Sequence, residues 1–425
     1  MQLGDTMALF SKGIVLEQHK EPALSREIVQ LIDADSSFLT FTQPEYEGEP
    51  TLEQLITIAE RAVIIDERDG RPLAEKLFAA SKKQLYAVVA DAVDDEPYVS
   101  SQLGVVLHYG EGVASALKLC AQALNISKYC ILAYKNITDL SIKLPARIAS
   151  VRVLPIYGKY PAENRAENLF GPNQKKLIIG AGALLHLYRA FKESRVQTTC
   201  FVTVAGNCIA NARNMELPIG TPVKDVLNFC GLALDPTRVV LGGSMTGRST
   251  TDLNNETVGI TTRAVLAFED AIVRRKFNCI GCGRCVAACP QGLTPTLIYR
   301  HVVSGHYDGA EILDATHCIE CGTCTYICPS ELEISAKVLQ AKKYFLSTEK
   351  ERLVEKERLS ANRRAAMYGA FNDFHSAFSK ACSGISALIR KKPASGKKTP
   401  AAPKVKAASL SSSGPDTGSA DDKKE

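Results

Sequence analysis

The chain has 425 residues, 45% hydrophobic and 23% charged, enough to bury two or three cores, which excludes a disordered or collagenous chain. Its formal net charge of +5 resides in the tail: residues 390–425 hold nine Lys or Arg and four Asp or Glu, leaving 42 of each sign before them, so no nucleic-acid footprint is expected on the fold. The opening MQLGDTMALFSKGIVLEQHKEP lacks a signal-peptide pattern, no run of about 18 apolar residues follows, and a thiol-rich chain of this kind is expected in a reducing compartment, the cytoplasm.

In chain order, residues 1–50 read as a short N-terminal β region. Residues 51–194 alternate helix and strand, the pattern of parallel crossover units. A helix is expected at TLEQLITIAERAVI, with Leu52, Leu55, Ile56, Ala59 and Val63 on one face, and a buried strand at Gln84–Val93. A helix over Gly110–Ile126 turns Leu117, Cys120, Ala121 and Leu124 inward; strands follow at Lys128–Asn136 and within Ala146–Ile156. Lys175–Ser194 leads a strand or turn into a helix, where Gly180 and Gly182 pack tightly or cradle an anion. Residues 195–265 read as two strands, a short helix with Thr221 as N-cap and Gly231 near its end, and further strands: a small β-grasp-like module. Residues 266–345 form a helical, cysteine-rich domain. Residues 346–389 are predicted charged helices, and residues 390–425 a basic Lys/Ala/Pro/Ser tail too polar to fold alone. The fold class is therefore multidomain, α/β plus α+β.

Eight of the fourteen cysteines lie between Cys279 and Cys328, in two runs, CIGCGRCVAACP and CIECGTCTYICP. Each is C-x2-C-x2-C-x3-C-P, the pattern that holds [4Fe–4S] clusters in two-cluster ferredoxins, where the fourth Cys of each run serves the other cluster. That assigns Cys279, Cys282, Cys285 and Cys328 to cluster one, and Cys318, Cys321, Cys324 and Cys289 to cluster two. Pro290 and Pro329 end the local turns that carry the remote ligands, and Gly281, Gly283 and Gly322 let backbone approach. The competing metal is zinc, which C-x2-C pairs also bind. Cys120, Cys130, Cys200, Cys208, Cys230 and Cys382 read as buried small hydrophobes. His317, next to Cys318, is expected to be exposed. No hydrolase or phosphotransferase motif is present.

These residues resemble a family, the C subunit of the Rnf electron-transport complex, with its soluble relatives the microcompartment cobalamin reductase and the proline reductase-associated electron-transfer protein. KGIVLEQHKEP is similar to the family's opening, and ADAVDDEPYVSSQ to its E-P-Y segment. IYGKYPAENRAENLF and IIGAGALLHLYRAF are similar to two further family segments, and VTVAGNCIANARNMELPIGTPVKDVLNFCG to its soluble-ligand-binding β-grasp (SLBB) module. The resemblance covers about residues 10–345. It implies a flavin-dehydrogenase-like α/β domain, an SLBB-like module and a ferredoxin-type domain. The family also carries a glycine-rich flavin loop ahead of E-P-Y. Here the stretch reads RAVIIDERDGRPLAEKLFAASKKQ, with one glycine, Gly70, and with Asp66, Glu67 and Asp69. Carboxylates repel a phosphate, so the flavin site reads as degenerate, FMN is not expected, and Glu96, Pro97 and Tyr98 are left as fold-holding residues.

The expected function is an iron–sulfur electron-transfer subunit of an oxidoreductase complex that relays single electrons between redox partners, with no catalytic residue of its own. The alternative is an NADH-oxidising flavin/iron–sulfur oxidoreductase with FMN bound by an altered loop. Expected partners are a flavoprotein, a ferredoxin or a membrane electron-transport complex, with no nucleic acid. The expected location is cytoplasmic, peripheral at the inner face of the cell membrane through such a complex, or in a microcompartment.

Overall fold

The computed structural model describes residues 28–30, 39–42, 48–135, 144–163, 169–171, 174–269 and 277–348. Most of the N-terminal β region, the helices predicted beyond residue 348, the tail and Cys382 lie outside the described residues. Among the described residues, no helix is long and apolar enough to cross a membrane.

The chain begins with β1 (Ile28–Gln30), α1 (Leu52–Arg61) and α2 (Leu73–Ser81). The α/β unit continues with β2 (Ala87–Ala92), α3 (Ser101–Ala123), β3 (Tyr129–Tyr134), β4 (Arg147–Ile148), β5 (Val151–Ile156), β6 (Lys176–Gly180) and α4 (Ala181–Glu193). Its sheet has the order β4-β5-β3-β2-β6, with β5, β3, β2 and β6 parallel and β4 an antiparallel edge. Every residue of β2 is buried, as a strand covered by helices on both faces requires. From β2 the chain steps to β3 and β5, then crosses back to place β6 on the other side of β2. The order therefore reverses between β2 and β6, and the crevice beyond their C-terminal ends is where open α/β sheets bind ligands.

Three local expectations need correction. Thr51 closes α1 with a capping box to Gln54, but the helix ends at Arg61; Val63 falls past its end with φ 52° and is 59% exposed, and Ile58 takes the inward place. The helix expected from Gly110 starts at Ser101. Tyr109 kinks it (φ −114°, ψ 25°), and its first turn is held by the Asp94 carboxylate, which accepts from the Gln102 and Leu103 N–H groups at 2.8 and 2.9 Å. A carboxylate that reaches the helix from outside its first turn leaves no local signal. Thr221 is not an N-cap: its hydroxyl donates to the Pro218 carbonyl at 2.6 Å, and Pro222 occupies the cap position.

The second sheet follows with β7 (Thr199–Ala205), β8 (Arg213–Pro218), α5 (Val223–Phe229), β9 (Arg238–Leu241), β10 (Arg248–Thr250) and β11 (Ala264–Phe268), in the order β1-β8-β7-β11-β9-β10. A hairpin, a helix and a returning strand inserted beside the first make the expected β-grasp arrangement. Its core is Val202, Val204, Met215, Leu217, Val226 and Leu227, with Cys200, Cys208 and Cys230 buried among them. Cys120 and Cys130 are buried in the α/β unit. Last come α6 (Arg284–Ala288), α7 (Pro295–Val303), α8 (Tyr307–Ile312), a 3-10 turn at Ala315–His317, α9 (Thr323–Tyr326) and the helical residues 334–348. They pack around Ile298, Val302, Ala310, Ile334, Val338 and Ala341, on which the cysteine loops rest.

Candidate functional site: two cysteine loops and a filled crevice

The two cysteine loops are built alike. Gly283 (φ 71°) and Gly322 (φ 72°) precede α6 and α9, and Gly281 (φ 69°) is matched in the second loop by Glu320 (φ 63°). These backbones turn left-handed, which glycine adopts without strain and glutamate does not. Gly322 is required twice over, since a Cβ there would stand 2.6 Å from the Met245 carbonyl oxygen of the β9–β10 turn. Helix α6 ends at Ala288, so that Cys289 is extended and Pro290 follows it; Pro329 follows Cys328 past α9.

The loops cross. The charges bearing on the Cys324 thiol are those of Cys321, Cys318 and Cys289, and Cys289 also bears on Cys318 and Cys321. Cys328 bears on Cys285. The charge of the fourth cysteine of each run thus reaches thiols of the other. Burial pushes the Cys285, Cys318, Cys321 and Cys324 thiols up, which iron offsets when it binds thiolate. Cys279 is held low by the Thr296 hydroxyl, 3.3 Å away, by the Gly281 N–H and by Arg300. Around the second loop, the Glu320 N–H donates to the Cys318 sulfur at 3.4 Å, and Lys342 spans the Cys318 carbonyl and the Glu320 carboxylate at 2.7 and 2.8 Å. Neither Thr296 nor Lys342 is marked by the cysteine spacing. His317 is exposed. The donor set, eight thiols in two runs of four, is the one two [4Fe–4S] clusters use.

The α/β crevice is occupied from within. The Glu67 carboxylate sits at the head of α4 and accepts from the Gly182 and Ala183 N–H groups, both at 2.9 Å. The Asp66 carboxylate takes the Gly180 N–H at 3.2 Å and pairs with Lys76 at 2.5 Å. These helix-head amides are the donors a phosphate would use. A phosphate here would have to displace Glu67, and a Cβ on Gly180 would stand only 2.1 Å from that carboxylate. So the amides of Gly180 and Gly182 are taken by carboxyl groups of the chain itself. Burial, and then the charge of Asp66, push the Glu67 carboxyl up to about 8, against the amides and Arg263 that pull it down.

The E-P-Y segment is spent likewise. Asp95 accepts from the Ala162 and Glu163 N–H groups, and Glu96 clamps the β9–β10 turn through the Met245 N–H at 2.6 Å and the Thr246 hydroxyl at 2.5 Å. Tyr98 packs edge-on against Phe268. The remaining cavity, about 570 Å³, lies where the three modules meet and is lined by Arg68, Glu96, Tyr160, Arg263 and Cys321 among others. Its cations are engaged: Arg68 pairs with Asp91 at 2.7 Å and Arg263 with Asp94 at 3.2 Å. The Tyr160 hydroxyl donates to the Cys321 carbonyl at 2.8 Å, tying the α/β unit to the second loop.

Comparison with known proteins agrees with this anatomy. Residues 278–332 match the 4Fe-4S dicluster domain, and residues 201–249 the SLBB domain. The chain is similar to the C subunits of ion-translocating oxidoreductase complexes. It is 26% identical over 261 residues to the one from Rhodobacter capsulatus, covering 56% of this chain and 50% of the relative. It is 26% identical over 325 residues to the C subunit of the Na(+)-translocating ferredoxin:NAD(+) oxidoreductase complex of Acetobacterium woodii, covering 70% and 73%. The chain thus spans about half the length of the first relative and nearly three quarters of the second. Among solved structures, the NAD+-reducing [NiFe]-hydrogenase in the air-oxidized state aligns over 68% of this chain and 64% of that one, at 14% identity and a TM-score of 0.46. The resemblance expected from the motifs holds, and the cysteine-rich domain is a two-cluster [4Fe–4S] domain rather than a zinc module.

Proposed function

We propose that this protein is an electron-transfer subunit that relays single electrons between redox protein partners through two [4Fe–4S] clusters, and that it works without flavin. The observation that carries the flavin-free reading is the Glu67 carboxylate on the Gly182 and Ala183 amides, where a phosphate would otherwise bind. Cys279, Cys282, Cys285 and Cys328 hold one cluster; Cys318, Cys321, Cys324 and Cys289 hold the other. Each cluster, when bound, supplies a site that takes up or gives one electron. The chain's own residues position the cysteine loops, through Thr296, the Glu320 N–H and Lys342, and Tyr160 and Met245 pack against the second loop. The relatives are named as subunits of oxidoreductase complexes. By extension, this chain serves such a complex, with a flavoprotein, a ferredoxin or a membrane electron-transport complex as neighbour, at the inner membrane face or in a microcompartment. The domain boundaries at 50, 194, 265, 345 and 389 belong to the same reading.

A second reading, an NADH-oxidising enzyme with FMN held by the altered loop, is favoured by the cavity of about 570 Å³ beside Cys321. One preparation separates the two. Purified without oxygen, the chain should carry about eight iron and release no flavin into acid extract, since two cubes hold four iron each. FMN released in near-equal amount to protein, or bleaching by NADH alone, would establish the second reading.

The filled crevice also predicts a pH dependence. The folded-state value of Glu67 lies above the ordinary 4.5, so the stability it contributes is complete below 4.5 and is lost as pH rises towards about 8. Glu67→Gln, which cannot ionise, should show a constant offset from the native protein below that window and a shrinking deficit across it, read as melting temperature against pH. Parallel profiles would mean that Glu67 does not titrate there.

A further inference from the structure

The two cysteine runs share a spacing and oppose each other in charge. Residues 277–306 hold Arg284 and Arg300 and no Asp or Glu; residues 307–345 hold Asp308, Glu311, Asp314, Glu320, Glu331 and Glu333 against Lys337, Lys342 and Lys343, of which Lys342 is paired with Glu320. The tripeptide before the first segment, Arg274-Arg275-Lys276, is also cationic. One half of the domain therefore carries +2 and the other −3, counted from those same residues.

Exposure follows the same division. In the first loop Cys282 is exposed, and beside it Ile280 is 70% and Phe277 61% exposed. Arg284 is exposed too, and no acidic partner is found for it among the described residues. None of the four cysteines gathered at the second loop is exposed: Cys289 is buried and Cys318, Cys321 and Cys324 are half-buried. Tyr160 and the β9–β10 turn stand over that loop, where Met245, Tyr160, Cys321 and Ile327 pack together.

An electron passes between proteins faster the closer the partner's redox centre comes to this chain's, so a cluster near the surface is the natural contact point. The first loop offers the exposed Cys282, with large apolar side chains at its centre and cationic charge at its rim. Apolar side chains clustered on a surface mark an interaction site. The rim charge sets which partner is steered there and which is repelled. We propose that the face formed by Phe277, Ile280, Cys282 and Arg284, with Arg300 beside it, docks an acidic one-electron carrier protein. The proposal rests on the two-cluster reading above. One electron crosses the interface and no atom does: what the carrier loses this protein gains, or the reverse. The acidic half repels the same carrier, so approach is restricted to the first loop without a tight interface, as suits a transient redox encounter.

The test uses the full chain purified without oxygen, with an acidic two-cluster ferredoxin as probe and a cationic cytochrome c as control. Binding is measured by calorimetry at about 20 mM and about 200 mM salt, across which the Debye length falls severalfold. The native protein should bind the ferredoxin, at least about tenfold more weakly at the higher salt, and should prefer it to cytochrome c. Arg284→Glu with Ile280→Ser should lose about tenfold or more in affinity while iron content and the electron paramagnetic resonance spectrum stay native. Glu331→Lys with Glu333→Lys, in the other half, should bind at least as well as native. The proposal is overturned if the native protein does not bind the ferredoxin, if cytochrome c binds better, if the Arg284/Ile280 variant binds normally, or if the Glu331/Glu333 variant binds less. Iron near eight per chain with no ferredoxin binding removes the docking face alone; absence of iron removes the relay reading itself.

Discussion

Replacing Cys289 by Ala should remove the cluster whose other three ligands lie 29 to 35 residues further along the chain, and spare the one to which its neighbours Cys279, Cys282 and Cys285 belong. Iron should fall from about eight to about four per chain. The informative readout is which thiols are released. After brief treatment with iodoacetamide, mass spectrometry should find Cys318, Cys321 and Cys324 alkylated, and Cys279, Cys282, Cys285 and Cys328 protected. Cys328→Ala should give the mirror image. The expectation follows from the crossed electrostatics, in which Cys289 bears on the three thiols of the second loop and Cys328 on Cys285. If each run instead served its own cluster, Cys289→Ala would expose Cys279, Cys282 and Cys285, and the crossed assignment would be wrong.

Arg189→Met should be the most damaging single change away from the cysteines. Arg189, on α4, meets Glu216, on β8, through two hydrogen bonds at 2.5 and 3.2 Å, with both side chains buried. The Thr199 hydroxyl adds a third bond to the carboxylate at 2.8 Å and the Tyr109 hydroxyl a fourth at 3.3 Å. This network joins the α/β unit to the β-grasp sheet. Burial by itself would raise the Glu216 carboxyl, but the Arg189 bonds and charge, with Thr199, hold it below the ordinary carboxylate range. Removing the guanidinium strands a buried charge, at a cost of about 3–5 kcal/mol. Urea denaturation monitored by circular dichroism measures it. A loss under about 1 kcal/mol would mean that water or Thr199 suffices for Glu216. Arg189→Met combined with Glu216→Leu should recover most of the loss, since a well-packed apolar pair leaves no charge to satisfy. Because the Glu216 value is depressed, the stability of the native network is present above the ordinary 4.5 and lost as pH falls through the folded-state value, so acid should narrow the gap between native and Arg189→Met.

Legibility from sequence differs with the distance over which each signal acts. The cysteine runs are plain because their chemistry dictates their spacing, and the buried strand at Ala87–Ala92 is nearly so, because a short apolar run suits a covered strand. The start of α3 escapes a sequence reading because its cap comes from Asp94, and Val63 reads as inward because a periodic pattern does not say where a helix stops. The acidic residues around Asp66 are visible, and so is their conflict with a phosphate. What they bind is not visible: Glu67 and Gly182 are 115 residues apart. Each of Asp66, Glu67, Asp94, Asp95 and Glu96 accepts from backbone N–H groups, and no local pattern reports where a long-range acceptor finds its donor.

By itself, then, the sequence determined the chemistry of the metal site, because iron coordination selects residue type and spacing along the chain. It also determined the alternation of helix and strand, because apolar periodicity is a local property. Only the tertiary structure decided what the amides at the head of α4 hold. A carboxylate delivered to the head of α4 by a distant loop occupies the same amides as an external anion would, and that occupancy depends on where two remote segments meet. The same holds for the cysteine loops: spacing named the candidate ligands, while packing decided that Cys282 is exposed and that Cys321 lies against Tyr160 and Met245.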